Sequence, residues 1–159
     1  MAFGPLVLTR DAWDLRRMRW SRERSRELFA RSSVARLATV DGEGQPHLVP
    51  VVFAAYGDTI AIPVDHKPKT TYRLRRLSNI EGNPRVSLLV DEYDGDWDHL
   101  WWIRADGEAL VQHSGPAWER ARDRLVERYP RYRDEPPSEA IILVDVHRWS
   151  GWSAGEDPF

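Results

Sequence analysis

Two lysines and a threonine in one short turn form the pattern that most directly suggests ligand chemistry. The stretch IAIPVDHKPKTTYRLRR, residues 60–76, is typical of a strand that ends in a turn and continues as a basic helix from about Thr70. Backbone N–H groups at such a helix start, together with Lys67 and Lys69, would hold a phosphate, and Pro68 would stiffen the turn. The alternative is an ordinary solvated connection that carries surface lysines.

The residue types exclude several other kinds of site. The chain has no cysteine, so disulfides, thiolate nucleophiles and cysteine-ligated metals are ruled out. The five histidines lack metal-binding spacing, and no GxSxG, Walker or GxGxxG pattern occurs. The acidic run at 94–98 lacks the glycine and glutamate of a calcium loop, so a solvated loop is expected there. No metal site is predicted.

The overall composition predicts a single domain and argues against a nucleic-acid binder. The 159 residues are enough for one domain with a real core, and eight tryptophans supply aromatic surface for packing or stacking. A formal net charge of −2 argues against a general nucleic-acid binder. No segment has the apolar length of a signal peptide or a membrane span, so a cytoplasmic location without membrane contact is expected.

Short strands and tight turns dominate the pattern and predict a mainly β (α+β) fold. Residues 1–20 lack a clear period and are predicted to be an N-terminal arm, and 21–159 to be a single domain. Ser21 is a candidate N-cap for a first helix, Ser114 for a last one, and Gly107 is a candidate bulge. Six strands are predicted, at residues 34–40, 46–55, 59–64, 85–91, 99–112 and 140–149.

Six strands with peripheral helices predict a small antiparallel split β-barrel. The second strand is apolar on both faces, because His47, Val49 and Phe53 alternate with Leu48 and Val52. A strand that is covered on both sides favours a homodimer whose interface uses the barrel wall.

Four tryptophans on or beside the last two predicted strands have two possible roles. Trp101 and Trp102 lie on the fifth strand, whereas Trp149 and Trp152 frame the WSGW sequence at the end of the last one. A tryptophan face can stack on a planar heterocycle, but it can equally anchor a core or an interface. The core role is favoured for Trp149, and the two roles stay open for Trp102.

A family resemblance is carried by three stretches of the sequence: ARLATVDGEGQPHLVPVVFA, HKPKT and LRRLSNIEGNPRVSLLVDEYDGDWDHLWWIRADGEA. In this order of strands, turn and basic helix, the chain resembles the split β-barrel superfamily of flavin and deazaflavin enzymes, which includes pyridoxamine-phosphate oxidases. It is most similar to the actinobacterial PPOX-class branch that uses coenzyme F-420. The resemblance covers about residues 32–152.

The resemblance implies a homodimer with two identical clefts at the subunit interface. The cofactor phosphate would lie against the turn after the third strand, although the family often has arginine where this chain has Lys67, and lysine cannot form a bidentate fork. The implied cofactor contacts are Lys67, Lys69 and Thr70 for the phosphate, His47, Leu48, Val49, Pro50, Ile62, Pro63 and Val64 for the ring, and Leu100 and Trp102 from the partner subunit.

Together these expectations predict an oxidoreductase that transfers a hydride between coenzyme F-420 and an organic acceptor. The cofactor carries the chemistry in such enzymes, which agrees with the absence of a nucleophile or metal pattern, and no catalytic residue is assigned. An FMN-dependent oxidase or reductase of the same fold is the first alternative, and a non-catalytic flavin or deazaflavin carrier is the second. Arginines 73, 75, 76 and 85 either extend a positive track for the F-420 tail or form a solvated helix face.

Overall fold

The structure, a computed structural model, describes residues 18–64 and 74–155, which form one antiparallel sheet with helices packed around it. In chain order the elements are β1 (Met18–Trp20), α1 (Arg22–Arg31), β2 (Ala35–Val40), β3 (Pro46–Val51), β4 (Ala54–Tyr56), β5 (Thr59–Pro63), α2 (Arg75–Gly82), β6 (Arg85–Glu92), a 3-10 turn (Trp97–His99), β7 (Trp101–Gln112), α3 (Pro116–Arg128), α4 (Arg131–Asp134) and β8 (Ile141–Ser153).

The antiparallel, mainly β architecture with peripheral helices is confirmed, but the predicted count of six strands is wrong. The described sheet has eight strands in the order β3-β2-β6-β7-β8-β5-β4, and β1 pairs with β8. It is an open sheet in which β3 and β4 stand at the two ends of this path. Strand β1 falls within the predicted arm and aligns Arg19 with Trp152. Residues 1–17 of that arm lie outside the described residues.

The second predicted strand, 46–55, is interrupted at Phe53, which accounts for one of the extra strands. The hydroxyl of Tyr129, directly after α3, accepts a hydrogen bond from the Phe53 amide at 3.1 Å and donates one to the Phe53 carbonyl at 2.7 Å. Both polar backbone groups of Phe53 are therefore satisfied by a side chain instead of a neighbouring strand. Periodicity could not predict this break, because the partner lies 76 residues further along the chain.

The helix boundaries agree with the sequence at α1 and differ at α2. The Ser21 hydroxyl accepts a hydrogen bond from the Arg24 amide at 3.1 Å, so the predicted N-cap is confirmed. Helix α2 begins at Arg75, and Leu74 before it has an extended ψ of 127°. The predicted helix start at Thr70 is therefore wrong for this helix, while residues 65–73 themselves lie outside the described residues.

Two glycines shape the passage from β7 into α3. The predicted bulge at Gly107 is confirmed by a register shift against β8, where a Cβ atom would lie 2.1 Å from the Asp145 carbonyl oxygen. Only glycine allows that approach of the two backbones. The predicted cap at Ser114 is wrong, because Gly115 is the N-cap of α3, with a φ of +98°.

The core lies between the inner face of the sheet and α1. Phe29 of α1 is fully buried, with its ring 5.0 Å from that of Phe53 and 5.2 Å from that of Trp149. Trp149 is 7% exposed and its indole N–H donates to Asp58 at 2.9 Å, which supports the core role favoured for it. A smaller cluster beneath α3 contains Leu125 and Ile141. The opposite face of the sheet carries half-buried and exposed side chains over several strands.

Candidate functional site

The open face of strands β2, β6, β7 and β8 carries polar and aromatic side chains at every second position. On β7, Trp101, Ile103 and Ala105 are buried, whereas Trp102 and Arg104 alternate with them and are half-buried. The same alternation holds on the neighbouring strands. The period of two in a strand therefore separates a dry inner face from an outer face that a ligand can reach.

The strand register arranges this outer face in three rows that run across the sheet. Each row contains residues that are directly opposite one another on adjacent strands, where cross-strand side chains interact. The first row contains Asp91, Trp102, Trp152 and Arg19, the second Arg36, Leu89, Arg104 and Ser150, and the third Leu48, Ala38, Ser87, Asp106 and Arg148.

A groove of about 470 Å³ lies on this outer face over strands β3, β2, β6 and β7 and forms the candidate site. Its floor is apolar and its rim is basic, a combination that suits a planar ligand with an anionic extension. The lining residues are Arg36, Ala38, Leu48, Ser87, Leu88, Leu89, Trp102 and Arg104. This groove is called the sheet groove below.

Asp106 holds two arginines of the outer face in place. Its carboxylate accepts hydrogen bonds from the Ser87 hydroxyl at 2.7 Å, the Arg104 Nε at 3.0 Å and the Arg148 Nη2 at 3.1 Å. Burial alone would raise the pKa of the Asp106 carboxyl, but the hydrogen bond from Ser87 and the two guanidinium groups outweigh burial and lower this pKa. The carboxylate is therefore ionised at neutral pH and positions both arginines.

The arginine on the other side of the sheet groove is paired in the same way. Arg36 Nη1 donates to Asp91 at 2.8 Å, and the two side chains are 44% and 32% exposed. At this exposure, solvent screens the pair and its contribution to stability is small. The guanidinium of Arg36 is thus oriented at the rim of the groove without being buried.

The predicted ring contacts on β3 do not share one face of the strand. Leu48 points outward, is 65% exposed and lines the sheet groove, and Pro50 is exposed on the same face. His47 and Val49 alternate with them and are half-buried, with Val49 packed against the core. A flat ring could contact both sets only across the free edge of β3.

His47 has a property that fits a bound polar ligand at this edge. Its Nδ1 atom is buried and makes no hydrogen bond within the part of the chain that the structure describes. It lies opposite Thr39, whose hydroxyl accepts a hydrogen bond from the buried Asn79 amide at 3.0 Å. A buried nitrogen without a partner is costly unless a ligand or water satisfies it.

The predicted contacts on β5 lie in the core and away from the sheet groove. Ile62 and Pro63 are buried and pair with Ile142 and Ile141 of β8, and the amide of Val64 donates to the Ala140 carbonyl at 3.0 Å. These residues precede the turn predicted to hold the phosphate. The sheet path separates them from β3 by four intervening strands, so the pairing pattern alone does not bring the two sets together.

The other predicted contacts have different outcomes. Trp102 lines the sheet groove together with Leu48 of the same chain, whereas Leu100 is half-buried at the start of β7 and its carbonyl accepts a hydrogen bond from Ala154. Lys67, Lys69 and Thr70 lie outside the described residues. The residues of the groove that the sequence patterns did not single out are Arg36, Ala38, Ser87, Leu88, Leu89 and Arg104. Alternation on β6 and β7 could have selected most of them, but only the register shows that they meet.

The basic face expected on α2 is paired in part. The Arg75 guanidinium donates to Asp41 at 3.1 Å, across to the turn between β2 and β3. Hydrogen bonds from the Gln45 and Glu43 amides and from Arg75 hold the pKa of the Asp41 carboxyl below its usual value. The Arg75 guanidinium is therefore already paired with a carboxylate of the same chain. This favours the interpretation that Arg75 belongs to a solvated helix face.

Two kinds of feature are missing from residues 18–64 and 74–155. No group of three or more histidine, aspartate or glutamate side chains there is arranged to hold a metal ion. None of the described helices combines the length and the apolar character that a membrane crossing requires.

Comparisons with known proteins agree with this fold. The family model for pyridoxamine 5′-phosphate oxidase matches residues 21–153. A search of curated proteins finds no match. Three of the solved structures that match illustrate the similarity, which is one of fold alone because each sequence identity is below 25%.

The first is a FAD-binding protein from Mesorhizobium loti, which is 20% identical with a TM-score of 0.66 over 86% of this chain and 96% of that chain. A conserved hypothetical protein from Mycobacterium tuberculosis is 23% identical, with a TM-score of 0.68 over 85% of this chain and 86% of that one. The haem storage protein from Vibrio cholerae is 18% identical, with a TM-score of 0.62 over 79% and 87%.

Proposed function

The chain belongs to the pyridoxamine 5′-phosphate oxidase family, and from this premise we propose that it is an oxidoreductase that transfers a hydride between coenzyme F-420 and an organic acceptor. The observation that carries the proposal is the sheet groove, in which Leu48 and Trp102 meet beside two ordered arginines. The family resemblance implies Leu48 as a contact of the cofactor ring and Trp102 as a contact from the partner subunit.

The residues of the groove fit a deazaflavin in three respects. The apolar floor of Ala38, Leu48 and Leu89 accepts a planar ring, and Trp102 can stack on it, which contributes about 1–3 kcal/mol for a base-sized ring. Arg36 and Arg104 match anionic groups beyond the ring. When bound, the deazaflavin would supply the hydride chemistry, while these side chains bind it, orient it and exclude water from one face.

His47 would contribute a hydrogen bond at the edge of β3. Its buried Nδ1 lacks a partner within the described ranges, so a polar atom of the ring would satisfy it. The phosphate would lie at Lys67, Lys69 and Thr70, which follow β5 in the chain. Under this proposal, the ring spans the free edge of β3 and the groove beside it.

We propose further that the protein is a homodimer with composite sites. Leu48 is 65% exposed and Val34, just before β2, is 41% exposed, so this wall of the sheet presents apolar side chains to solvent. A second copy would cover these side chains and close the sheet groove over the ring, on which Trp102 of the same subunit stacks. Light scattering at micromolar concentration should give the mass of a dimer, and a monomer would contradict this part of the proposal.

Titration of the purified protein with F-420 and with FMN, followed by absorbance, tests the cofactor assignment. We expect F-420 to bind more tightly, and Trp102→Ala to weaken its binding. Trp97→Ala is the matched control, because Trp97 is 72% exposed on the loop between β6 and β7 and should leave binding unchanged. Tighter binding of FMN would support the FMN-dependent alternative. An equal loss of cofactor affinity in Trp102→Ala and Trp97→Ala would show that the cofactor does not bind in the sheet groove.

Oxidation of the reduced cofactor by a panel of acceptors separates an enzyme from a carrier. Turnover that depends on the protein and is lost in Trp102→Ala would support the oxidoreductase. Stoichiometric binding of F-420 without turnover with any acceptor would favour the carrier, since fold alone does not decide between these functions.

A further inference from the structure

A second cleft, of about 400 Å³, continues from the sheet groove along strands β7 and β8. The two share Trp102 and Arg104, and the second cleft adds Trp152, Arg148 and Arg19 from β8 and β1. No cofactor contact that the family resemblance implies lies on β8 or β1. This space is called the arginine–tryptophan cleft below.

One end of the arginine–tryptophan cleft is aromatic. Trp102 and Trp152 are directly opposite each other on β7 and β8, and both are half-buried on the outer face. Opposite residues in an antiparallel pair have Cβ atoms about 4.5–5.5 Å apart, so the two indoles are neighbours. Half-buried tryptophans offer a planar, apolar surface to a ligand ring.

The other end of the cleft is basic, and its two arginines have N–H groups that donate no hydrogen bond to a described residue. Arg104 binds Asp106 through Nε, which leaves its two amino groups without a hydrogen-bond partner among the described residues. Arg148 binds the same carboxylate through Nε and Nη2, which leaves Nη1. Asp106 therefore orients two guanidinium groups but neutralises only one positive charge. Arginine donors ordered in this way are well suited to a carboxylate.

The distance between the two ends restricts the ligand. Arg104 is two residues from Trp102 on β7, so their rows are about 7 Å apart on the same face. A ring joined to a carboxylate through two carbon atoms spans this distance. A ligand that is only apolar would leave the arginines unused, and a small inorganic anion would leave the tryptophans unused.

We propose that the arginine–tryptophan cleft binds a planar, conjugated carboxylate, with its ring on Trp102 and Trp152 and its carboxylate on Arg104 and Arg148. The cleft shares Trp102 and Arg104 with the sheet groove, so this ligand and a ligand in the groove would lie against each other at these two side chains. The proposal concerns the protein without added cofactor and does not depend on the choice between F-420 and FMN.

Titration with trans-cinnamate, followed by calorimetry, tests the proposal on the full chain. Cinnamyl alcohol is the uncharged probe, and 3-cyclohexylpropanoate is a charged probe without a planar ring. We expect cinnamate to bind with a dissociation constant of about 1 mM or lower, and each of the other two probes to bind about tenfold more weakly. Equal affinity for cinnamate and either other probe, or no binding of cinnamate at about 10 mM, would overturn the proposal.

Three variants assign the binding to this cleft. Arg148→Gln and Trp152→Leu should each weaken cinnamate about tenfold, and Arg148→Lys should lose less because the charge is kept. Arg122→Gln is the matched control, since Arg122 also lies by a tryptophan, 5.4 Å from the Trp118 ring, but on α3. Circular dichroism confirms that each variant is folded. Cinnamate binding that is unchanged in both Arg148→Gln and Trp152→Leu, or reduced equally in Arg122→Gln, would refute the assignment.

Discussion

The hydroxyl of Tyr129 should be one of the most important polar groups for stability, although Tyr129 does not line the candidate site. It accepts from the Phe53 amide and donates to the Phe53 carbonyl, and it also accepts from Arg128 Nε at 3.1 Å. Phe53 is fully buried, so Tyr129→Phe leaves two buried backbone groups without a partner. Each costs about 1–3 kcal/mol, and with partial replacement by water we expect a loss of roughly 2–4 kcal/mol.

Urea unfolding followed by tryptophan fluorescence measures this loss. For a chain of this size, the same change lowers the melting temperature by roughly 4–16 °C. Tyr93→Phe is the matched control, because Tyr93 is 66% exposed and its change should stay within about 0.5 kcal/mol of wild type. If Tyr129→Phe also stays within about 0.5 kcal/mol, the backbone groups of Phe53 do not depend on the tyrosine, and the explanation of the strand break is wrong.

Three further predictions concern the bulge at Gly107, the carboxyl group of Asp58 and the turn that contains Lys69. Gly107→Ala places a Cβ atom 2.1 Å from the Asp145 carbonyl and should lower stability by about 3 kcal/mol or more, measured by thermal unfolding. A hydrogen bond from Trp149 and the Arg22 guanidinium lower the pKa of the Asp58 carboxyl. Its stabilising effect is therefore present above the unfolded pKa of about 3.9 and is lost as pH falls below it, so Asp58→Asn should destabilise the protein at pH 7 more than at about pH 3. Lys69→Ala should weaken F-420 binding by roughly tenfold to a hundredfold in an absorbance titration, because a hydrogen bond to a charged group is lost.

Each of these predictions has a result that would contradict it. A Cβ atom at Gly42 would meet nothing within 4 Å, so Gly42→Ala should be nearly neutral, and equal effects of the two glycine changes would contradict the bulge geometry. For Asp58→Asn, a stability loss that does not change between pH 7 and about pH 3 would show that the charge is unimportant. An unchanged dissociation constant for F-420 in folded Lys69→Ala protein would show that Lys69 does not hold the cofactor phosphate.

The sequence alone was sufficient for features that depend on neighbours along the chain. Ser21 caps α1 because its hydroxyl reaches an amide three residues later, and the bulge at Gly107 follows from a glycine within a long strand. The core role favoured for Trp149 is also supported, because this tryptophan is buried. Local geometry and hydrophobic period determine these features, and both can be read directly from residue order.

Only the tertiary structure decided which distant residues meet. The break at Phe53 depends on Tyr129, and the sheet groove depends on a register that aligns Arg36 with Leu89 and Leu89 with Arg104. Register is set by packing over the whole sheet, and a shift by one residue would turn every side chain to the opposite face. For this reason the sequence identified Leu48 and Trp102 separately. The arginines beside them, Arg36 and Arg104, could be assigned to the groove only from the pairing of the strands.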